Sequence, residues 1–120
     1  MSESTAPTGW WANPPERALD CAQDYLERLG YRVLARQFRD CDLIAGRWPL
    51  VIACQVRARR IVEPVDDDRS ARRKRLRLSA SIWLANPPHR GFHEVRFDRI
   101  DVYLSQGGEL VGLEHYPNAL

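Results

Sequence analysis

Residues 42–57 read DLIAGRWPLVIACQVR, and the centre of the fold is predicted from this segment. Two apolar segments flank Gly46-Arg47-Trp48-Pro49, whose glycine and proline are typical of a turn. The pattern predicts an antiparallel β-hairpin with strands over residues 41–45 and 50–57. The second strand opens with Leu-Val-Ile-Ala-Cys, which is apolar at both alternating positions. It is therefore predicted to be a central strand covered on both faces.

A helix is predicted before the hairpin. Pro14-Pro15 suits a helix start, because the first N–H groups of a helix have no partner within it. Apolar residues then recur at helical spacing, and they are Leu19, Ala22, Leu26 and Leu29. Gly30 is placed to end the helix in the left-handed conformation. A first strand is predicted to follow over residues 31–38.

A second helix is predicted after a basic loop at residues 58–65. Asp66-Asp67-Asp68 can cap its N-terminus, and Asn86-Pro87-Pro88 ends it after about Ala85. Its arginine-rich first half is predicted to project from the core. Its second half carries two apolar stripes, which predicts burial on two sides. The stripes are Leu78/Ile82/Ala85 and Leu76/Ala80/Trp83.

Two further strands are predicted near the C-terminus. Apolar and charged residues alternate from Glu94 to Leu104, and Gly107-Gly108 makes a turn before a strand from Leu110 to His115. The element order is then α-β-β-β-α-β-β. This order predicts an α/β fold with one mixed central sheet and helices on both faces.

The bulk composition predicts a single domain over residues 14–120, in a chain of 120 residues of which 44% are hydrophobic. Residues 1–13 are rich in Ser, Thr, Pro and Gly and are predicted to be a disordered tail. Near the end of this tail, Trp10-Trp11 is interpreted as a docking patch or as the contact of a homodimer. Neither a secretion signal nor an apolar run of about 20 residues is present, which favours a cytoplasmic protein with no membrane partner.

Charge is distributed unevenly in this chain, whose formal net charge is +2. Nine of its 18 Lys and Arg residues lie between Arg57 and Arg77, against four acidic residues. Such a local basic zone favours an anionic partner and predicts nucleic-acid binding, the alternative being a solvated loop and helix face. The residues predicted to bind nucleic acid are Arg57, Arg59, Arg60, Arg72, Arg73, Lys74, Arg75 and Arg77.

Five short motifs, in order from about residue 16 onward, are similar to those of one protein family. They are Tyr25-Leu26-Glu27-Arg28-Leu29-Gly30-Tyr31, Gln37-Phe38-Arg39, Asp42-Leu43-Ile44-Ala45, Arg96-Phe97-Asp98 and Glu114-His115-Tyr116-Pro117-Asn118-Ala119-Leu120. Together they resemble those of the YraN-like proteins, a widespread bacterial family of uncharacterised function, and their departures from the family pattern indicate a divergent member. The resemblance implies a restriction-endonuclease-like fold of the PD-(D/E)xK superfamily.

That resemblance also implies a site for a divalent metal. In this fold an acidic residue, a hairpin and a strand ending in acid-x-Lys form the centre of a metal-dependent nuclease. Here Gln55-Val56-Arg57 stands where the family has Glu-Val-Lys, with Gln55 thirteen positions after Asp42. The resemblance assigns metal binding to Asp42, to the residue at Gln55 and to the carbonyl of Val56. Asp40 lies two residues before Asp42 on the predicted strand, so it would face the same side and add a second carboxylate.

The catalytic set Asp42, Gln55 and Arg57 is therefore degenerate. The implied cofactor is Mg²⁺ or Mn²⁺ if the protein is active, and none otherwise. An amide oxygen at Gln55 can still coordinate a cation. Arg57 is the harder change, because arginine stays charged, cannot act as a base, and presents a fork suited to holding phosphate.

Three functions stay open at this point. The first is a nucleic-acid-binding protein, with DNA favoured over RNA, that has an endonuclease-like fold and an inactive catalytic site. The second is an active Mg²⁺- or Mn²⁺-dependent nuclease that uses Asp40, Asp42 and Gln55. The third is a protein-interaction or structural domain, in which the same residues form a polar cluster at the strand edge and Trp10-Trp11 belongs to the partner surface.

Overall fold

A computed structural model describes residues 14–59, 69–85, 92 and 94–119, with the side chains of residues 69–72 excepted. Two helices and five strands lie within these ranges. In chain order they are α1 (Glu16–Arg28), β1 (Arg32–Phe38), β2 (Cys41–Arg47), β3 (Leu50–Arg59), α2 (Arg69–Leu84), β4 (Glu94–Leu104) and β5 (Leu110–Tyr116). The predicted order α-β-β-β-α-β-β is confirmed.

Helix α1 begins and ends where its sequence predicts. The carbonyl of Pro15 accepts the first helical bonds, from the N–H groups of Ala18 and Leu19. At the other end Gly30 has φ of +93°, which costs glycine no steric strain. The N–H of Gly30 then donates to the carbonyl of Glu27, and the N–H of Tyr31 donates to that of Leu26. These two bonds form a Schellman motif and turn the chain directly into β1.

One sheet contains all five strands, in the order β1-β2-β3-β4-β5. The β2–β3 hairpin is antiparallel, and Trp48 and Pro49 form its turn. Strands β3 and β4 are parallel, and their register runs from Leu50↔Glu94 to Arg59↔Tyr103. Because parallel neighbours need a crossover, the segment between them contains a helix, α2. The other neighbouring pairs are antiparallel, so the sheet is mixed as predicted.

The central strand β3 separates two cores, which confirms the prediction made from its apolar run. On one face α1 packs through residues such as Leu19 and Leu26 against Ile52 and Ile100. On the other face α2 contributes Leu76, Ala80 and Trp83 to a core with Ile44, Val51 and Ala53. Helices therefore cover both faces of the sheet. Polar side chains further along β3 alternate between the same two faces.

Two predictions are wrong, one about the burial of the second helix and one about the end of strand β3. Helix α2 is buried on one side only: Leu78 is 57% exposed, whereas Leu76 and Ala80 are buried. Leu78 lies two residues from each of these, about 200° around the helix axis, so it points away from the sheet. Strand β3 also continues to Arg59 instead of giving way to a loop at residue 58, because it pairs with β4 as far as Tyr103.

Several predictions concern residues outside the described ranges. These are the tail 1–13 with Trp10-Trp11, the rest of the loop to residue 65 with Arg60, the cap Asp66-Asp67-Asp68, the stop Asn86-Pro87-Pro88 and Leu120. Within the part of the chain that the structure describes, no helix is long and apolar enough to cross a membrane.

Candidate functional site

The hairpin brings Asp42 to the end of the central strand. The last residue pair of β2 with β3 on this side is Leu43↔Cys54. One residue beyond it, Asp42 Oδ2 accepts a hydrogen bond of 2.8 Å from the N–H of Val56. The predicted frame of Asp42 and Gln55-Val56-Arg57 is therefore assembled in space, with the carboxyl group of Asp42 fastened to the middle residue of the three.

Burial affects the charge of Asp42. It raises the pKa of this carboxyl to about 7, and the negative charge of Asp40 adds to this, although the Val56 N–H bond opposes the shift. A divalent cation binds the charged form of a carboxyl, so metal binding here would release the proton that burial favours.

The prediction that Asp40 lies on the strand is wrong, because β2 begins at Cys41. Asp40 instead occupies the turn before it, where its N–H donates to Ser79 Oγ at 3.0 Å. The Ser79 hydroxyl is also 3.4 Å from Asp40 Oδ2. This contact attaches the turn to α2, and the carboxylate itself is exposed. Asp40 and Asp42 therefore do not share one strand face.

The donor set around Asp42 fits Mg²⁺ or Mn²⁺ poorly. Gln55 is only 8% exposed, and its Oε1 has no hydrogen-bond partner among the described residues, so this amide oxygen could coordinate a cation. An amide oxygen is neutral, so beside the single carboxyl of Asp42 it adds none of the negative charge that these ions require. Within the described ranges, moreover, no three His, Cys, Asp or Glu residues are grouped so that they could hold a metal.

The structure buries Arg57 instead of exposing it to a phosphate. Its residue exposure is 3%, and its Nε lies 3.6 Å from Oδ1 of Asp101, which is wholly buried. Asp101 is also 3.2 Å from Arg59 Nη1 and 3.2 Å from Arg99 Nε. Arg57 thus belongs to an internal ion cluster, and its burial keeps its guanidinium away from a phosphate in solvent.

These residues belong to a larger array on the α2 side of the sheet, which we call the polar grid. It consists of three cross-strand rows contributed by β3, β4 and β5. The rows are Gln55–Arg99–Tyr116, Arg57–Asp101–Glu114 and Arg59–Tyr103–Gly112. Sequence reasoning missed the β4 and β5 members, although the alternation of β4 could have placed Arg99, Asp101 and Tyr103 on one face.

The opposite face carries a second polar cluster, around Asp98. This carboxylate is fully buried and accepts two hydrogen bonds of 2.8 Å from Arg96 and one of 2.9 Å from the N–H of Asn118. His115 Nε2 lies 2.7 Å from Asp98 Oδ2, and the other ring nitrogen is 2.9 Å from the Tyr25 hydroxyl. The Glu114-His115 motif thus has a structural role through His115, since this chain of contacts joins β4, β5 and α1.

Acid sensitivity should follow from Asp98. Burial alone would raise its pKa, but hydrogen bonds from His115, Arg96 and Asn118 outweigh burial and lower it to about 2. Because the unfolded chain then binds this proton more readily, the contribution of Asp98 to the free energy of unfolding is fully present above about pH 4 and is lost as pH falls towards 2. We expect the wild type to lose about 2 kcal/mol over this interval through Asp98. Denaturant titrations at pH 4.5 and 2.5 measure this loss, and Asp98→Asn should show a smaller one.

A cluster of exposed cations lies on α2. Arg73, Lys74, Arg75 and Arg77 are all exposed, and we call these four the basic helix surface. The guanidinium of Arg77 lies 5.7 Å from the centre of the Phe97 ring, on the same sheet face as the polar grid. None of the four forms an ion pair with a carboxylate in the described ranges. Of the other predicted contacts, Arg59 is bound to Asp101, and Arg60 and the side chain of Arg72 lie outside the description.

Comparisons with a family profile and with individual proteins point to the same family. The profile described as "Uncharacterised protein family UPF0102" matches residues 20–102. A UPF0102 protein of Rhodopseudomonas palustris is 40% identical over 84 residues, which cover 66% of this chain and 65% of that protein. The chain thus aligns with just under two thirds of that relative.

Two further relatives extend the alignment over more of both chains. A UPF0102 protein of Dictyoglomus turgidum is 31% identical over 107 residues, covering 83% of this chain and 90% of the relative. One of Azorhizobium caulinodans is 34% identical over 107 residues, covering 85% and 78% respectively. The region matched by the profile contains the hairpin, the β3 residues of the polar grid with Arg99 and Asp101 of β4, and the basic helix surface. The chain therefore belongs to UPF0102, the family to which its YraN-like motifs pointed.

Proposed function

We propose that this protein binds nucleic acid, with DNA as the expected partner, through the basic helix surface of a restriction-endonuclease-like fold. We further propose that the site around Asp42 no longer supports metal-dependent cleavage. A mixed sheet with helices on both faces and the position of Asp42 beside Gln55-Val56-Arg57 support the fold assignment. The burial of Arg57 and its pairing with Asp101 support the loss of catalysis.

The observation that carries the binding proposal is the basic helix surface. Four cations occur within five consecutive helical residues, 73–77, and no described carboxylate neutralises them. Like charges placed so close repel one another and reduce the stability of the free helix. A phosphate backbone removes this repulsion, and each phosphate contact also releases condensed counterions into solution.

A triple variant tests the proposal. Changing Arg73, Lys74 and Arg75 to glutamine removes three charges but leaves the buried residues of α2 unchanged. We expect about tenfold or greater loss of affinity for DNA at moderate salt, and a salt slope reduced by about 2 to 3. Fluorescence anisotropy with a labelled oligonucleotide, repeated from about 50 to 200 mM salt, measures both quantities.

A matched control separates local contact from overall charge. The control replaces three arginines that lie on or against α1, on the opposite face of the sheet, and these are Arg17, Arg28 and Arg36. Their replacement by glutamine removes the same number of charges. This variant should keep the wild-type salt slope to within about one unit. Equal loss in both triple variants, or binding by the wild type that does not change with salt, would contradict a specific role for the basic helix surface.

A separate experiment tests the proposed loss of metal-dependent cleavage. The wild type should leave supercoiled plasmid, single-stranded DNA and branched DNA intact in the presence of Mg²⁺ or Mn²⁺. Cleavage that disappears in Asp42→Ala would instead establish the active nuclease, and it would show that the carboxyl of Asp42 ionises when a metal binds.

A further inference from the structure

We propose that Tyr103, Glu114 and Tyr116 form a platform for unpaired bases, so that the nucleic acid bound by this protein is single-stranded DNA. This inference rests on the proposed nucleic-acid binding and specifies its substrate class. It concerns the β4–β5 part of the polar grid, whereas the basic helix surface supplies attraction to any phosphate backbone.

The two aromatic rings of the platform are held in place by one carboxylate. The hydroxyl groups of Tyr103 and Tyr116 each donate a hydrogen bond of 2.8 Å to Oε1 of Glu114. In the sheet register, Glu114 pairs with Asp101, while the two tyrosines occupy the rows on either side. Both rings are half-buried and Glu114 is exposed, so the platform is accessible from solvent. Rings fixed before binding lose little conformational entropy when a base stacks on them.

Cations border both rings. The guanidinium of Arg99 lies 4.3 Å from the centre of the Tyr116 ring, and that of Arg59 lies 5.8 Å from the centre of the Tyr103 ring. Both guanidinium groups also contact the buried Asp101, and the two side chains are only 10% and 14% exposed, so they lie against the rings instead of in solvent. Bases of single strands stack on tyrosine rings, and the positive charge behind the rings attracts the adjoining phosphates.

Room for a base is present beside Tyr103. Its partner in the register is Gly112, and a methyl group added there would meet no atom within 4 Å. The backbone of Gly112 is not in the left-handed region, so glycine is not required there for its conformation. A missing side chain opposite an aromatic ring leaves an open notch of the kind that a planar base can fill.

Glu114 adds a hydrogen-bond acceptor beside the two rings. Hydrogen bonds from the two tyrosine hydroxyls lower its pKa, so it stays ionised at neutral pH. Its Oε2 has no hydrogen-bond partner in the described part of the chain and can accept from the amino group of a base. In a duplex the stacking faces of the bases are covered by neighbouring base pairs. A platform that needs an open base face is therefore selective for single strands.

The platform and the basic helix surface lie on one side of the sheet. Arg77 packs on Phe97, and Phe97 precedes Arg99 by two residues on β4, so both project from the same face. One strand of nucleic acid can therefore contact α2 through its phosphates while its bases rest on β4 and β5.

Three variants test the platform in the full-length protein. Tyr103→Leu with Tyr116→Leu removes both rings, Tyr103→Phe with Tyr116→Phe keeps the rings without their hydroxyls, and Gly112→Leu fills the notch. Affinities are measured by anisotropy for a labelled DNA 20-mer, for its duplex and for the RNA strand of the same sequence. Thermal unfolding of each variant confirms that it is folded.

We expect the wild type to bind the single DNA strand about tenfold more tightly than the duplex. The leucine pair and Gly112→Leu should each lose about tenfold for the single strand and leave duplex binding unchanged. The phenylalanine pair should stay within about threefold of the wild type for the single strand, because stacking needs the ring and not the hydroxyl.

Other outcomes overturn the inference in distinguishable ways. Unchanged single-strand binding in a folded leucine pair, with binding still sensitive to the triple α2 variant, would remove the platform and retain the proposed function. Absence of salt-dependent binding to every nucleic acid would remove both. Ring-dependent binding confined to RNA would overturn the assignment to DNA, and a self-association lost only in the leucine pair would assign the face to a second copy of this chain.

Discussion

Replacing Asp101 by alanine is expected to lower the free energy of unfolding by about 3–5 kcal/mol. Asp101 is wholly buried and lies within 3.6 Å of three guanidinium groups, those of Arg57, Arg59 and Arg99. Its removal would leave Arg57, which is 3% exposed, without the carboxylate it pairs with inside the protein. A domain of this size is stable by only about 5–15 kcal/mol, so this variant should be marginally folded. Urea denaturation followed by circular dichroism measures the loss.

A surface ion pair provides the comparison for Asp101. Asp24 contacts Arg28 at 2.9 Å on α1, with both side chains exposed. Asp24→Ala removes the same number of charges but should cost no more than about 0.5 kcal/mol, because solvent already screens that pair. If Asp101→Ala were equally mild, the buried cluster would contribute little to the fold. Adding Arg57→Leu to Asp101→Ala should recover part of the loss, since it removes the most buried of the three cations.

Replacing Asp42 by asparagine is expected to stabilise the protein at pH 8, by an amount on the order of 3 kcal/mol. Burial raises the folded pKa of Asp42 to about 7, well above its value in the unfolded chain. Its contribution to stability is therefore fully present below about pH 4 and is lost as pH rises through 7. Asparagine does not titrate, and its amide oxygen can still accept the hydrogen bond from Val56.

The measurement for Asp42 is the pH dependence of unfolding. Wild type and Asp42→Asn should have similar free energies of unfolding near pH 4.5 and diverge progressively up to pH 8. All other titrating groups are common to both proteins, so the difference reports on residue 42 alone. Parallel curves over this range would mean that Asp42 is ionised in the folded protein at neutral pH, and the metal site would then become chemically plausible.

Elements of this protein with strong local signals could be predicted from the sequence. Helix α1 combines regular apolar spacing with a proline start and a glycine end, and each signal acts within one or two helical turns. The same holds for the hairpin, whose turn residues and apolar run are contiguous in the chain, and for the alternating strand β4. The proximity of Asp42 to residues 55–57 followed directly, because an antiparallel hairpin brings its two ends together.

The role of Arg57 could not be predicted in this way. An arginine near a basic segment is normally exposed, and the residue that reverses this expectation, Asp101, lies 44 positions later in the chain. Only the parallel pairing of β3 with β4 places the two side by side. For the same reason the tyrosines of β4 and β5 had no visible connection to Gln55-Val56-Arg57 before the register was known.

Which segments become helices and strands follows from the sequence, because hydrophobic periodicity, turn residues and helix caps are local properties of the chain. Which charges face solvent and which are buried follows from the folded structure, since that depends on strand register and on the face that each helix covers. Leu78 illustrates the limit, because its stripe is apolar in sequence yet exposed once α2 packs through Leu76 and Ala80. Burial also changes chemistry, and it is the main cause that raises the pKa of Asp42 to about 7.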